Sequence, residues 1–152
     1  MGLPALGLLA CATTDTASSP GSSNQEFREA PPTETSSRSS LPTLQTVYFD
    51  LDRFEIRSDA KSALKENAKA IRGNKGWGTI VIEGYCDERG SEEYNLALGE
   101  KRARTVKRYL TDLGVSRSRL DVVSYGEAAP AVMGHDESAW RYNRRSEFKS
   151  SN

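Results

Sequence analysis

The stretch that decides the fold runs from residue 79 to residue 114 and reads TIVIEGYCDERGSEEYNLALGEKRARTVKRYLTDLG. Its opening, Thr79 to Cys86, is rich in β-branched residues and is typical of a buried strand. From Glu93 to Leu113 apolar residues recur at helical spacing until Gly114, which predicts a long helix and its end. A tight loop at residues 88–91 leads from the strand back to the helix. The end of the strand and the start of the helix are therefore expected to face one cleft.

The segments on either side complete the secondary structure of one α/β domain. They are a strand at Thr46–Leu51, a helix capped by Ser58 and ending at Gly73, a strand at Leu120–Tyr125, a loop with a short helix at Pro130–Tyr142 and a weak strand at Arg145–Lys149. The order β-α-β-α-β-(α)-β predicts an α/β (α+β) sandwich with helices packed on one mixed sheet. Connections that contain a helix favour parallel or next-but-one placement of strands, and the strand order stays open.

The first 45 residues differ in composition from the rest of the chain. Residues 12–45 hold eight Ser, six Thr and four Pro, with only three large apolar side chains. Such a segment buries too little apolar surface to offset the entropy of ordering it, so we expect a disordered linker. About 100 residues, 46–150, remain for one domain, which is a normal size for a single core.

The opening MGLPALGLLAC ends in Leu8-Leu9-Ala10-Cys11, which resembles the bacterial lipobox. This resemblance implies cleavage before Cys11 and a diacylglycerol on its thiol, so residues 1–11 are expected to be the remnant of a lipoprotein signal. Ala12 in place of Asp implies sorting to the outer membrane. Two features depart from the pattern, namely Pro4 and the lack of any Lys or Arg before the cysteine. The alternative is an ordinary N-terminus with a chance cysteine.

The charge balance and the few reactive side chains disfavour several classes of protein. The 21 basic and 21 acidic residues give zero net charge, whereas nucleic-acid binders usually carry a basic excess, so no nucleic-acid partner is expected. His135, the only histidine, stands beside Asp136 without a nucleophile motif, which favours a structural hydrogen bond over catalysis. A metal site of Cys86, Asp87 and His135 would need distant segments to converge without paired-ligand spacing, so neither metal nor cofactor is predicted.

A helical wheel of the long helix distinguishes Arg102 from its basic neighbours. The stripe expected to face the core consists of Leu96, Ala103, Val106, Leu110 and Leu113, and the opposite, solvated face carries Lys101, Arg104 and Arg108. Arg102 lies at the shoulder of the stripe, beside Asn95 and Leu98. Together with Asp87 at the end of the preceding strand, it can hold a zwitterion, carboxylate to ammonium and guanidinium to carboxylate. A structural salt bridge between Asp87 and Arg102 explains the same spacing, and the residues alone leave both interpretations open.

From about Thr46 to Phe148 the chain resembles the OmpA-like peptidoglycan-binding family. The similarity is carried by VYFDLDRFEIRSDA (47–60), EGYCDERGSEEYNLALGEKRARTVKRYL (83–110), VVSYGEAAPAVMGHDE (122–137) and NRRSEF (143–148). These motifs are specific to the lipoprotein branch of the family, which works with the Tol–Pal system. By this resemblance Asp87 and Arg102 match the two residues that grip diaminopimelate, a diamino diacid of the peptidoglycan stem. Leu51 and Asp52 match a loop whose backbone amides receive a carboxylate of that ligand.

The resemblance also implies roles for residues around this pair. Asn95 and Leu98 match the wall of the ligand pocket, in agreement with the wheel. Asn143 and Arg144 match a terminal motif that is expected to support the site without being its main contact.

Two positions depart from the family pattern, so the resemblance does not determine which residues form the rim of the pocket. Tyr85 stands where the family usually has His or Asn, and Cys86 where it has Thr or Ala.

The implied function is non-enzymatic anchoring of the outer membrane to the cell wall, important for envelope integrity and cell division. The implied partners are peptidoglycan, the outer membrane through a lipid on Cys11, and a TolB-type β-propeller with other Tol proteins. The alternatives are a generic cell-wall anchor outside the Tol–Pal system and an enzyme that acts on peptidoglycan.

Overall fold

The computed structural model describes residues 44–151 and contains one four-stranded sheet with three α-helices. In chain order the elements are β1 (Val47–Tyr48), α1 (Ala60–Gly73), β2 (Ile80–Tyr85), α2 (Glu92–Asp112), β3 (Leu120–Gly126), α3 (Glu137–Asn143) and β4 (Arg145–Ser150), with 3-10 turns at Lys75–Trp77 and Arg117–Arg119. The predicted β-α-β-α-β-(α)-β order is thereby confirmed. Within this part of the chain, no helix has the length and apolarity needed to cross a bilayer.

The sheet is mixed, and its strand order β1-β4-β2-β3 was not predictable from sequence. β2 runs parallel to β3, and β4 lies antiparallel between β1 and β2. The strands joined by helical connections are therefore parallel neighbours or next-but-one, as expected. β4 is a central strand in this order, so its side chains lie next to the end of β2.

The first strand is shorter than the predicted Thr46–Leu51. After β1 one further ladder bond forms, from the Phe49 amide to the Arg144 carbonyl at 2.9 Å. The chain then turns, because the amide of Arg53 donates to the carbonyl of Asp50 at 3.2 Å and Asp52 adopts a positive φ of 53°. Aspartate tolerates this left-handed conformation better than most residues do. Residues 50–53, called here the 50–53 turn, therefore leave the sheet.

The residues at the ends of the two long helices, α1 and α2, make different interactions. α1 has the predicted extent, but Ser58 as its cap is wrong, because the helix begins after Asp59, whose carboxylate is bound by Arg57 at 2.9 and 3.0 Å. At α2 the hydroxyl of Ser91 accepts from the Tyr94 amide at 3.2 Å, a normal N-cap. Gly114, with φ of 89°, closes its C-terminus as predicted.

The hydrophobic core lies between the sheet and helices α1 and α2. From α2 it receives Ala103, Val106 and Leu110, which are fully buried, and the partly buried Leu113 packs against it, as the wheel predicted. Leu96 as a core residue is wrong. It is only half-buried and lies outside this cluster, against the turn at Gly126.

Helix α2 approaches β2 closely because two glycines meet there. A Cβ built on Gly84 would lie 1.9 Å from the carbonyl oxygen of Gly99, and a Cβ on Gly99 would lie 2.3 Å from the Ser124 hydroxyl. Neither position therefore accepts a side chain without movement of the helix. Arg102 is one helical turn beyond Gly99, so this contact sets how close its side chain comes to the end of β2.

Candidate functional site

The structure places Asp87 directly beyond the end of β2, where only 4% of its surface is exposed. Oδ1 accepts hydrogen bonds from the backbone amide of Arg89 at 3.1 Å and from its Nε at 3.0 Å. Oδ2 accepts from Nη2 of Arg89 at 2.8 Å and from Nη1 of Arg144 at 3.3 Å. Asp87 is thus a buried carboxylate held by two arginines.

These contacts keep Asp87 ionised despite its burial. Burial pushes the pKa of Asp87 upward, but the hydrogen bonds from the side chain and backbone of Arg89, with its charge and the bond from Arg144, together outweigh burial. The pKa of Asp87 therefore lies below its ordinary value. At neutral pH the site presents a carboxylate that can accept hydrogen bonds from a cation.

Arg102 is completely buried, deeper than a shoulder position on the helix suggests. Its guanidinium donates to three backbone carbonyls, that of Tyr85 at 2.8 Å, that of Arg53 at 2.9 Å and that of Asp50 at 3.1 Å, and Nη1 also lies 3.4 Å from Cys86 Sγ. The ion pairs of Asp87 go to Arg89 and Arg144, so the Asp87–Arg102 salt bridge considered from sequence is wrong. Arg102 instead ties the 50–53 turn to the end of β2.

The 50–53 turn carries Leu51 and Asp52, the residues whose amides are predicted to receive a ligand carboxylate. Arg102 holds the carbonyls at both ends of this turn, and Leu51 between them is 48% exposed. The carboxylate of Asp52 accepts from the Tyr94 hydroxyl at 3.4 Å, which links the turn to the start of α2. Both residues thus lie at the surface, on a turn that Arg102 and Tyr94 position.

Asn95 and Leu98 lie on the side of α2 that faces the site, and they are 1% and 6% exposed. The side-chain amide of Asn95 donates to the carbonyl of Arg89 at 3.1 Å and also to the carboxylate of Glu127 after β3. Asn95 therefore joins the loop that carries Asp87 and Arg89 to the end of β3. A role of Asn95 and Leu98 as a pocket wall stays a prediction.

Arg144 and Asn143 support the site from the other end of the chain. Besides Asp87, Arg144 binds the carbonyl of Phe49 at 3.1 Å and the carboxylate of Glu137, and it is 5% exposed. The side chain of Asn143 bonds to the backbone of Ala131 and Val132 at 2.8–3.0 Å. Arg144 thus touches Asp87 directly, whereas Asn143 holds the neighbouring loop.

A further set of contacts around Arg89 was missed by sequence reasoning. The Arg89 guanidinium lies 3.9 Å from the ring centroid of Trp140. The Trp140 indole donates to Glu88 at 3.0 Å, and Glu88 also pairs with His135 Nδ1 at 2.7 Å. The three charged residues of DERG indicated that this loop makes ion pairs or hydrogen bonds. The sequence did not show with which residues, because Trp140 and His135 lie about 50 residues further along the chain.

The two departures from the family pattern lie on opposite faces of the sheet. The role of Tyr85, which the sequence left open, is a packing role, because its ring stacks on Tyr125 with centroids 5.3 Å apart and Arg145 covers it at 3.9 Å. Its hydroxyl donates to Glu83 at 2.7 Å, and burial raises its pKa. Cys86 points the other way and lies beneath the site, with Sγ 3.3 Å from the Asn95 carbonyl and a pKa that burial raises to about 11.

The residues considered for a metal or a catalytic site have separate partners. His135 binds Glu88, Asp136 caps α3 by accepting from the Ser138 amide at 2.8 Å, and Cys86 contacts α2. Among residues 44–151, no group of three His, Cys, Asp or Glu side chains is arranged to hold a metal ion. Cys11 lies outside the residues that the structure describes.

Comparison with known proteins agrees with this fold. The sequence pattern of the OmpA family matches residues 48–144. A peptidoglycan-associated lipoprotein of Pseudomonas aeruginosa is 45% identical over 114 residues, which cover 75% of this chain and 67% of that protein. The corresponding lipoprotein of Pasteurella multocida is 45% identical over 100 residues, 66% of each chain.

Solved structures give the same assignment. The crystal structure of the peptidoglycan-associated lipoprotein from Burkholderia pseudomallei is 40% identical with a TM-score of 0.65, covering 68% of this chain and 87% of that one. The C-terminal domain of MotB from Helicobacter pylori, at 23% identity and a TM-score of 0.64 over 68% of this chain and 81% of its own, shares the fold. The chain therefore belongs to the OmpA family, and within it is similar to the peptidoglycan-associated lipoproteins.

Proposed function

We propose that this chain binds peptidoglycan non-covalently at Asp87 and thereby anchors the outer membrane to the cell wall. The observation that carries the proposal is a buried, ionised carboxylate beside the surface-exposed 50–53 turn, in a domain 45% identical to a peptidoglycan-associated lipoprotein. The ligand is the diaminopimelate of the stem peptide. The free end of diaminopimelate carries an ammonium and a carboxylate. It therefore offers a positive and a negative charge, both of which such a site can bind.

The chemistry divides between two parts of the site. Asp87 accepts charge-assisted hydrogen bonds from the ligand ammonium. The amides of Leu51 and Asp52 bind the ligand carboxylate, and the positive charge of buried Arg102 lies behind them. Arg102 thus contributes mainly by holding the carbonyls of the turn so that its amides face outward. Asn95 and Leu98 line the base of the same site.

The anchoring role needs a membrane attachment, which Cys11 provides in this proposal. Its lipid chains hold the N-terminus in the inner leaflet of the outer membrane, and residues 12–45 act as a spacer. The domain can then reach the cell wall on the periplasmic side while its anchor stays in the membrane.

The Tol–Pal assignment is the finer part of the proposal. A TolB-type β-propeller that co-purifies with the chain would support it. Retention of cell-wall binding without such a partner would instead favour a generic anchor of the same fold.

Incubation with isolated sacculi tests binding against catalysis. We expect the wild-type chain to sediment with the sacculi and to release no muropeptides, because Asp136 caps α3 and His135 is hydrogen-bonded to Glu88. Asp87→Ala should remain in the supernatant, whereas Asp112→Ala, at the exposed far end of α2, should sediment like wild type. Muropeptide release that Asp87→Ala abolishes would identify an enzyme, and equal sedimentation of all three proteins would overturn the proposed site.

A further inference from the structure

The proposed binding site already contains a cation, the side chain of Arg89. A carboxylate has about four lone-pair positions. At Asp87 four donors occupy them, namely three groups of Arg89 and one of Arg144. An incoming ammonium therefore cannot simply add to Asp87. It must replace a donor that is already bound.

The two arginines differ in how easily they can leave. Arg144 has a 6% exposed side chain and is fixed on three sides, by Asp87, by the carbonyl of Phe49 and by Glu137. The Arg89 side chain is 33% exposed, and among residues 44–151 Asp87 is the one acid that it hydrogen-bonds, since Glu137 is 3.9 Å away. Arg89 is thus the donor on the solvent side of a carboxylate that is itself 3% exposed.

Arg89 also has a second contact, the ring of Trp140, that does not depend on Asp87. Its guanidinium already lies over the ring of Trp140, at 3.9 Å from the centroid. This cation–π contact does not involve Asp87, so the displaced guanidinium can keep Trp140 as a partner. The loop backbone need not move, because Asn95 holds the carbonyl of Arg89 and Ser91 caps α2.

We propose that Arg89 is an intramolecular competitor of the ligand, which occupies Asp87 in the free protein and is exchanged for the ligand ammonium on binding. The inference rests on the proposed function and adds a reason why the site selects ligands with a free amine. A ligand with a free amine can displace Arg89, whereas one without it leaves the Arg89–Asp87 pair closed. Arg89 is therefore a specificity-determining residue rather than a ligand contact. The apparent affinity for a ligand with a free amine falls in proportion to the fraction of molecules in which the Arg89–Asp87 pair is open.

The test is a titration of the full chain with two probes, a stem peptide ending in diaminopimelate and the same peptide with its remaining amine acetylated. Arg89→Gln removes the competing cation but keeps the backbone amide and Arg144 at Asp87. Arg104→Gln is the matched control, since it removes an equal charge from an exposed i,i+4 pair with Glu100. Arg89→Lys keeps a cation that can still compete.

We expect Arg89→Gln to bind the free-amine peptide about fivefold more tightly than Arg104→Gln, the factor that corresponds to an ion pair worth about 1 kcal/mol. The two variants should not differ with the acetylated peptide, and Arg89→Lys should bind like wild type. Binding of the free-amine peptide by Arg89→Gln that is equal to or weaker than that of the control overturns the competitor role. If sacculus binding still requires Asp87 in that case, the proposed function stands and only the competitor is refuted.

Discussion

Nη1 of Arg102 lies 2.8 Å from the carbonyl oxygen of Tyr85, the last residue of β2. The same guanidinium donates to the carbonyls of Asp50 and Arg53 in the 50–53 turn. A side chain that sequence suggests as a ligand contact is thus first of all a cross-link between the 50–53 turn and the sheet. Its substitution is expected to affect the fold as well as binding.

Arg102→Ala should lower the free energy of unfolding by about 3 kcal/mol, because one buried and two partly buried backbone carbonyls lose their charged donor. Arg102→Lys should recover only part of this loss, since one ammonium cannot span both ends of the turn. Urea unfolding measures both effects. The control is Arg104→Ala on the exposed face, which should stay within about 0.5 kcal/mol of wild type. Equal stability of Arg102→Ala and Arg104→Ala would contradict the cross-link.

Gly84→Ala should destabilise the domain by about 3 kcal/mol, because its methyl group would lie 1.9 Å from the Gly99 carbonyl and force α2 away from β2. Gly73→Ala, at the end of α1, meets no atom within 4 Å and should leave stability unchanged or slightly raised. Thermal unfolding of the two variants compares them directly. A Gly84→Ala protein as stable as Gly73→Ala would show that the close approach of α2 does not matter.

The stability of the protein should depend on pH through Asp87. Its folded-state pKa lies below the unfolded value of about 3.9, so its contribution is fully present above that value and is lost as the pH falls through the folded pKa. The difference in unfolding free energy between wild type and Asp87→Asn should therefore be largest above about pH 5 and shrink towards about pH 2. Urea denaturation across this range measures it. A difference that does not change with pH would mean that Asp87 is not stabilised in its ionised form.

Cys11→Ser should release the protein from the membrane fraction of the producing cells, because the proposed lipid has no other thiol to occupy at the N-terminus. Cys86→Ser is the matched control and should remain in that fraction, since the Cys86 thiol is buried beneath the site. Fractionation with immunodetection is sufficient. Unchanged membrane retention of Cys11→Ser would refute the proposed anchor.

The sequence predicted those features that depend on local periodicity. α2, β2 and β3 follow from helical spacing and from runs of β-branched residues, whereas the pairing of β2 with β3 as direct parallel neighbours is one of two placements that a helical connection allows. The truncation of β1 was not predictable, because it depends on Arg102 binding the carbonyls of a turn about 50 residues earlier in the chain. The direction of Tyr85 follows from strand alternation once the structure shows that Gly84 faces α2, because the next residue of a strand must face away.

The candidate site was only partly accessible from sequence for a similar reason. A helical wheel gives the direction of Arg102 but not its partner, and the partners are main-chain atoms, which leave no mark on the sequence. The contact of Arg144 with Asp87 joins residues 57 positions apart, and it arises because β4 inserts beside β2. Arg89, two residues from Asp87, was the one charged partner that spacing alone made visible.

The most direct test of the central claim is a calorimetric titration of the diaminopimelate-terminated peptide into wild type and Asp87→Asn at neutral pH. The asparagine keeps the size of the side chain while it removes the charge and replaces one acceptor oxygen by an NH2 group, which makes it a cleaner probe than any substitution of Arg102. Loss of one partner from a charged contact typically costs about 2 kcal/mol or more, so we predict binding weaker by about 30-fold or more in a variant that still unfolds cooperatively. A folded Asp87→Asn protein that binds the peptide with wild-type affinity would contradict the account.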